Sequence, residues 1–365
     1  MNTILLISPE PWDGHFVSKH HYALELARRG HRVLFYGPPD TAGGIRLEPV
    51  ANAQGHLHVL RAPRVAPGLR FLPGPLRRSL EARWLGRVEK IIGRPIDVIW
   101  NFENSRFYDL RFAGERLKIY QQVDLNQNFR PESAAATSDL SIAISAPIEQ
   151  RLSPFARNLI RITHGHADQG ADQFRPERLD QRFGRAKVNA VLTGNLDIAY
   201  LDVPLLAQLV STHPEVCFHF IGAYTAGQGL HGAVGLAPNS VFWGRQRADV
   251  LPAILKRADV LLVAYLADVH LDQLANPHKM MEYLASGRCV LATRTLEYED
   301  RPDLIETALN RADFARRFGL IAANPAAWNS ADAVARRQAF AHQNTYTRQL
   351  DRIVQALGPR GSLVS

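Results

Sequence analysis

Short apolar or β-branched runs alternate with helical patterns almost from one end of this 365-residue chain to the other. Parallel sheets covered by helices demand that pattern, because each parallel strand returns through a crossover. Strands are expected at Thr3–Ser8, Arg32–Tyr36, His58–Leu60, Asp97–Trp100, Leu117–Gln121, Leu140–Ile144 and Leu159–Thr163. A helix is expected from Phe16 to Arg29, with Ala23, Leu24, Leu26 and Ala27 as its apolar stripe and Gly30 as its stop. His164 to Arg185 carries Gly165, Gly170, Pro176 and Gly184 among polar residues and reads as a linker. A second series follows, with strands expected at Val188–Thr193, Cys217–Ile221, Ser240–Trp243, Val260–Ala264 and Cys289–Ala292. Helical patterns between them cover Val203–Thr212, Ala248–Arg257 and Pro277–Ala285, and one long pattern runs from Ala331 to Leu357.

The length exceeds what one core usually organises. The expected arrangement is an α/β chain with a domain at 1–165, a linker at 166–186, a domain at 187–330 and a last helix at 331–357. Two doubly wound domains would face one another across a cleft at the carboxyl ends of their strands, where open α/β sheets bind ligands.

No apolar run reaches the roughly 18 residues that cross a bilayer. The run Ile4 to Ile7 is too short for a signal-peptide core and lacks a basic start. Cys217 and Cys289 each sit inside an apolar run, as small buried hydrophobes do. The expected compartment is therefore the cytoplasm. The net charge of +8 is unevenly placed: Arg61 to Arg94 holds nine basic and two acidic residues, a net +7. Leu69, Phe71, Leu72, Leu76, Leu80, Trp84 and Leu85 interleave with that charge. Such a segment suits the inner face of an anionic membrane, contacted peripherally, and equally a solvated loop and helix over the first domain. No nucleic-acid motif accompanies it, so no nucleic-acid partner is expected.

The stretch richest in chemistry is Asn276 to Thr293. Asn276 suits an N-cap and Pro277 the first helical position. The backbone N–H groups of His278 and Lys279 would then point out of the helix start and, with the dipole, form an anion site for a diphosphate. Lys279 adds a cation there. Glu282, one turn on, is placed to accept two hydrogen bonds from a ribose diol. Gly287 ends the helix. Spacing alone fits a capped surface helix as well.

This stretch resembles the K-x-x-E-Y-x-A-x-G signature of retaining glycosyltransferases of family four, with Lys279, Glu282, Tyr283, Ala285 and Gly287 in the matching places. Asn239 to Gly244, Leu251-Pro252 and Ala258-Asp259-Val260 resemble the strand and helix order upstream of it. Ser8 to Gly14, Arg29 to Val33 and His164-Gly165 are similar to bacterial members that build cell-surface polysaccharides. The resemblance implies the GT-B fold, a nucleotide-sugar donor held by the second domain, and a glycan or lipid-linked acceptor on the first. It implies donor contacts at Glu282 and at the backbone of Pro277 to Met280, and a last helix that crosses back to the first domain. It also suggests retention of anomeric configuration.

The chain departs from that family at two places. The first of two family glutamates falls at Leu274, with Asp272 and Gln273 as nearby substitutes. The family's basic pair after the first strand of the second domain is not evident; the strand ends Thr193-Gly194-Asn195, with Gly194 and Asn195 as candidate donor contacts, and Arg245 and Arg247 become candidate cations. No D-x-D triplet ends a strand, and the fourteen histidines show no metal-ligand spacing. Neither a metal nor another cofactor is expected, and helix amides with Lys or Arg would stabilise the leaving diphosphate.

In the first domain, Gly14 lets backbone approach a ligand, and Asp13 and His15 are candidates to touch the acceptor or donor sugar; a simple turn accounts for them equally. Asp124 follows a strand and is a candidate to orient an acceptor hydroxyl. His20, His21 and His31 are expected on helix and turn surfaces. A sugar-nucleotide epimerase of the same fold, and a GT-B protein that binds a glycan or partner without turnover, are the alternatives. A nicotinamide dehydrogenase is disfavoured because no G-x-G-x-x-G follows a strand.

Overall fold

The computed structural model describes the chain except residues 15, 42, 52, 54, 126, 168–182, 184, 185 and 267–275. Its contacts divide it into two units, Met1–His164 with Tyr346–Ser365, and Gly165–Thr345.

The first unit runs β1 (Thr3–Ile7), α1 (Ser18–Arg28), β2 (Arg32–Tyr36), β3 (Arg46–Pro49), β4 (Leu57–Arg61), α2 (Gly74–Ile92), β5 (Val98–Asn101), β6 (Leu117–Gln122), α3 (Pro131–Thr137), β7 (Leu140–Ala143), α4 (Ala146–Leu152) and β8 (Leu159–Arg161). The sheet order is β3-β4-β2-β1-β5-β6-β7-β8. All pairings are parallel except β3 with β4. Central strands such as β1, with all five residues buried, are continuous apolar runs because helices cover both faces.

The second unit runs β9 (Val188–Thr193), α5 (Val203–Thr212), β10 (Val216–Ile221), α6 (Gly229–Val234), β11 (Ser240–Gly244), α7 (Leu251–Leu255), β12 (Val260–Val263), α8 (Lys279–Ser286), β13 (Cys289–Thr293), β14 (Glu306–Ala308), α9 (Arg311–Ala323), α10 (Pro325–Trp328) and α11 (Ala331–Gln343). Its sheet is wholly parallel, in the order β11-β10-β9-β12-β13-β14. Both cysteines are buried. Helix α12 (Tyr346–Leu357) returns the chain to the first unit.

The structure corrects several expectations. The pattern from Ala331 to Leu357 is two helices and not one. Asn344 ends α11 at φ −120° and its side chain donates to the Phe340 carbonyl, while Thr345 bridges to His166. Strands β3 and β14 were not expected. Leu24 is exposed, and the buried face of α1 takes Tyr22 and Glu25 instead. His20 and His31 are buried. His31 bonds the Ser365 carbonyl at 2.8 Å, and His20 stacks on Phe35 with centroids 4.8 Å apart. In the basic segment, Arg77, Trp84 and Leu85 are buried, whereas Phe71 and Leu76 are exposed. Of the linker, residues 168–182, 184 and 185, including Gly170, Pro176 and Gly184, lie outside the described residues.

Candidate functional site

At the carboxyl ends of β9, β10 and β11 stand three glycines, Gly194 (φ 130°), Gly222 (φ 143°) and Gly244 (φ 68°). These are left-handed conformations that other residues avoid. They are stitched in sequence: Gly194 N–H donates to the Ile221 carbonyl at 2.9 Å, and Gly222 N–H to the Gly244 carbonyl at 3.0 Å. A Cβ on Gly222 would lie 1.6 Å from the Gly194 oxygen. The edge is therefore bare backbone.

Helix α8 is fastened over the end of β9 by two side chains of the signature stretch. The Lys279 ammonium donates to the Thr193 carbonyl at 2.6 Å and lies 4.7 Å from the Tyr265 ring centre. The buried Tyr283 hydroxyl accepts from Thr193 N–H at 2.9 Å. Lys279 Nζ is also 3.4 Å from where a Gly194 Cβ would sit, so this cation stands against the glycine turn. Burial lowers the Lys279 pKa, while Tyr283 and Glu282 oppose that shift. One turn on, Glu282 is exposed and makes no hydrogen bond or ion pair among the described residues. The surrounding protein pushes its carboxyl up to about 7, with Lys279 opposing. Its exposed surface opposes that rise, because an accessible carboxylate keeps its hydration.

The helix begins later than its sequence suggests. His278, at φ −50° and ψ −42°, takes the cap position, and Lys279 is the first helical residue. Asn276 and Pro277 belong to the approach. The Met280 N–H donates to the Pro277 carbonyl at 3.0 Å, and its side chain is in the core. Pro277 has no N–H, so Lys279 leads the helix with an amide that has no intrahelical acceptor. Gly287 closes the helix at φ 79°, where a Cβ would meet Val334 at 2.6 Å.

Of the other second-unit candidates, Asn195 accepts from Asp197 N–H at 3.1 Å. Arg247 is exposed and held by both oxygens of Asp249, at 3.0 and 2.7 Å. Arg245 follows Gly244, two strands from β9, roughly 10 Å away at ordinary strand spacing. The cation at the end of β9 is Lys279, not either arginine. Leu274, Asp272 and Gln273 lie outside the described residues.

In the first unit, the loop after β1 is a small structure of its own. His20 Nδ1 accepts from Val17 N–H at 3.2 Å, which fixes the proton on Nε2, and Nε2 donates to the Pro11 carbonyl at 3.1 Å. Burial lowers the His20 pKa and keeps it neutral. Gly14 N–H donates to the Pro11 carbonyl at 3.2 Å. Asp13 is exposed and paired with Arg61 at 2.9 Å. His15 lies outside the described residues. Trp12 packs against Phe35 and Phe16, with centroids 5.0 and 5.4 Å apart. Asp124 is exposed after β6; burial of its surroundings raises its pKa, and Lys19 opposes. Lys19 is itself buried and bonds Glu10. Glu10 and Lys19 had no signal in the sequence, because a paired, buried lysine looks there like any surface lysine. A signal for Gly222 and Gly244 existed in retrospect: each directly follows a strand run, as Gly194 does.

No protein-family model matches the sequence, and no curated protein does. Solved structures match over nearly the whole chain. Sucrose-phosphate synthase from Thermosynechococcus elongatus has a TM-score of 0.72 at 15% identity, covering 98% of this chain and 99% of that one. A UDP-forming α,α-trehalose-phosphate synthase from Burkholderia xenovorans has a TM-score of 0.69 at 12% identity, over 98% and 99%. Anabaena HepE in complex with UDP and glucose has a TM-score of 0.68 at 15% identity, over 96% and 99%. The chain therefore has the GT-B fold of two parallel α/β units. At such identities the likeness is one of fold.

Proposed function

We propose that this protein is a metal-independent, retaining glycosyltransferase that moves a sugar from a nucleotide-sugar donor to a glycan or lipid-linked acceptor in surface polysaccharide synthesis. The observation that carries this reading is Lys279 held against the bare glycine edge of β9, with Glu282 exposed one turn along the same helix. A diphosphate at the start of α8 would meet an unpaired amide, the positive end of the helix and an ammonium. Those groups stabilise the charge that develops as the bond from the anomeric carbon to the diphosphate breaks. The acceptor oxygen forms the new bond to that carbon, and its proton passes to the leaving phosphate. Glu282 accepts the two ribose hydroxyls. On the first unit, Asp13, His15 and Asp124 are the groups proposed to position the acceptor. Retention follows the resemblance of the signature. The basic segment 61–94 is proposed to touch an anionic bilayer at the inner face of the membrane.

Since HepE structures contain UDP-glucose, that sugar nucleotide is the first donor to test. A thermal-shift screen against UDP-, GDP- and ADP-sugars should give one stabilising donor. Glu282→Ala should then weaken its binding by about 1.5–3 kcal/mol, roughly tenfold to a hundredfold, with the fold intact. Unchanged donor affinity in that variant refutes the role of Glu282. Turnover surviving EDTA tests metal independence.

A further inference from the structure

Around Asp109 the first unit gathers more guanidinium groups than its carboxylates neutralise. Arg77, Arg78 and Arg111 all donate to Asp109, at 3.0, 3.1 and 2.8 Å. Burial raises the Asp109 pKa, but hydrogen bonds from Arg111 and Arg78 outweigh it and hold the carboxyl at about 2. Arg130 lies over the Tyr108 ring at 4.9 Å and Arg70 over Phe71 at 4.8 Å, and neither has an acidic partner among the described residues. These five arginines share one cavity of about 450 Å³. The remaining carboxyl, Glu81, is fully buried with its nearest oxygen 3.6 Å from Arg77 Nε, and burial pushes it up to about 8 while Arg77 opposes. Five guanidinium groups against the two carboxyl groups of Asp109 and Glu81 leave at least three positive charges unmet.

Arg130 adds an independent observation. At φ 51° and ψ 43° it is the one non-glycine residue with positive φ among the described residues. It also directly precedes Pro131, whose ring disfavours helical backbone in its predecessor. Strain of that kind persists where the surrounding structure holds a side chain for a purpose. Phe71 in the cavity wall is 77% exposed, and Leu76, the residue before Arg77 on α2, is 51% exposed.

We propose that this cavity receives the phosphate of an anionic phospholipid headgroup while Phe71 and Leu76 enter the interfacial layer of the bilayer. Planar guanidinium groups match phosphate oxygens in pairs, and apolar side chains flanking such a cluster suit the headgroup boundary. The proposal rests on the bilayer reading of residues 61–94 and not on glycosyl transfer.

The test is co-sedimentation with vesicles of phosphatidylglycerol and phosphatidylcholine, against phosphatidylcholine alone. Wild type should bind the anionic vesicles at least about tenfold better. Arg78→Ala and Arg130→Gly should each lose about fivefold. Arg130→Gly relieves the strained backbone and should melt at or above wild type, so lost binding there is not lost folding. Arg83→Ala with Arg87→Ala, on the exposed face of α2 and outside the cavity, should lose less than either. Equal binding of wild type to both vesicles overturns the bilayer reading and this site with it. A wild-type preference that survives both cavity substitutions, or that falls as far in the Arg83/Arg87 variant, overturns the cavity alone. Calorimetric binding of pyrophosphate that Arg130→Gly abolishes, without vesicle preference, overturns the lipid as its source.

Discussion

The two units carry similar parallel sheets, yet their carboxyl edges are furnished in opposite ways. In the second unit the ends of β9, β10 and β11 are glycine, and Glu282 beside them has no partner among the described residues. In the first unit the corresponding edge is crowded with side chains already engaged. Lys19 is bonded to Glu10 and Asp13 to Arg61, while Arg106 donates to the carbonyls of Ser8 and Gly37 at 2.8 and 2.9 Å. A bare edge lets backbone amides and one cation approach a polyanion closely. A furnished edge presents fixed carboxylates and aromatic faces, which suit hydroxyl groups. The difference teaches that the ligand-specific chemistry of this fold lies in what terminates each strand, and not in the strands.

The comparison breaks most severely at Gly222. A methyl group there overlaps the Gly194 oxygen, and the backbone at φ 143° is closed to alanine. Gly222→Ala should destabilise the second unit by about 4 kcal/mol, seen as a loss of denaturant midpoint. A variant as stable as wild type would show that the edge need not be bare. Next comes Lys279→Met, which keeps the length and removes the charge. Turnover with the nucleotide-sugar donor should fall about 10²–10³-fold, as when one preorganised stabiliser of a leaving charge is lost. A fall of threefold or less would return the missing cation to Arg245 or Arg247.

Why the signature helix was readable while its surroundings were not follows from locality. Lys279, Glu282, Tyr283 and Gly287 act through one contiguous helix, so their spacing carries their geometry. The strand alternation is local in the same sense. β3 escaped because Arg-Leu-Glu-Pro is a polar, proline-ended edge strand, and β14 because three residues make no pattern. The break before α12 is a one-residue slip. Buried positions run Ala333, Arg337, Ala341, Asn344 and Tyr346, and the last step is two where a continuous helix would step by three or four. The charged clusters were illegible for another reason. Lys19 with Glu10, and the arginines around Asp109, meet through tertiary contacts, and a lone charged residue reads as surface.

The smallest predicted effect sharpens the comparison from the first unit. His20 holds the loop that carries Trp12, Asp13 and Gly14 by accepting from Val17 and donating to Pro11. Protonation would turn Nδ1 from acceptor to donor and break the first of those bonds. Its pKa is lowered from 6.5 by burial, so the unfolded chain takes up the proton first. The stability His20 contributes is therefore complete above pH 6.5 and is lost as the pH falls from there through its lower native value. His20→Phe preserves the ring against Phe35 but leaves the Val17 N–H unsatisfied, at a cost of about 1–3 kcal/mol. Its melting temperature should fall less than wild type's between pH 7 and pH 5, and acceptor KM should rise while donor affinity stays put. Identical acid sensitivity in the two proteins would remove His20 as the strut. An equal loss of donor affinity would mean that the two edges do not divide the substrates as proposed.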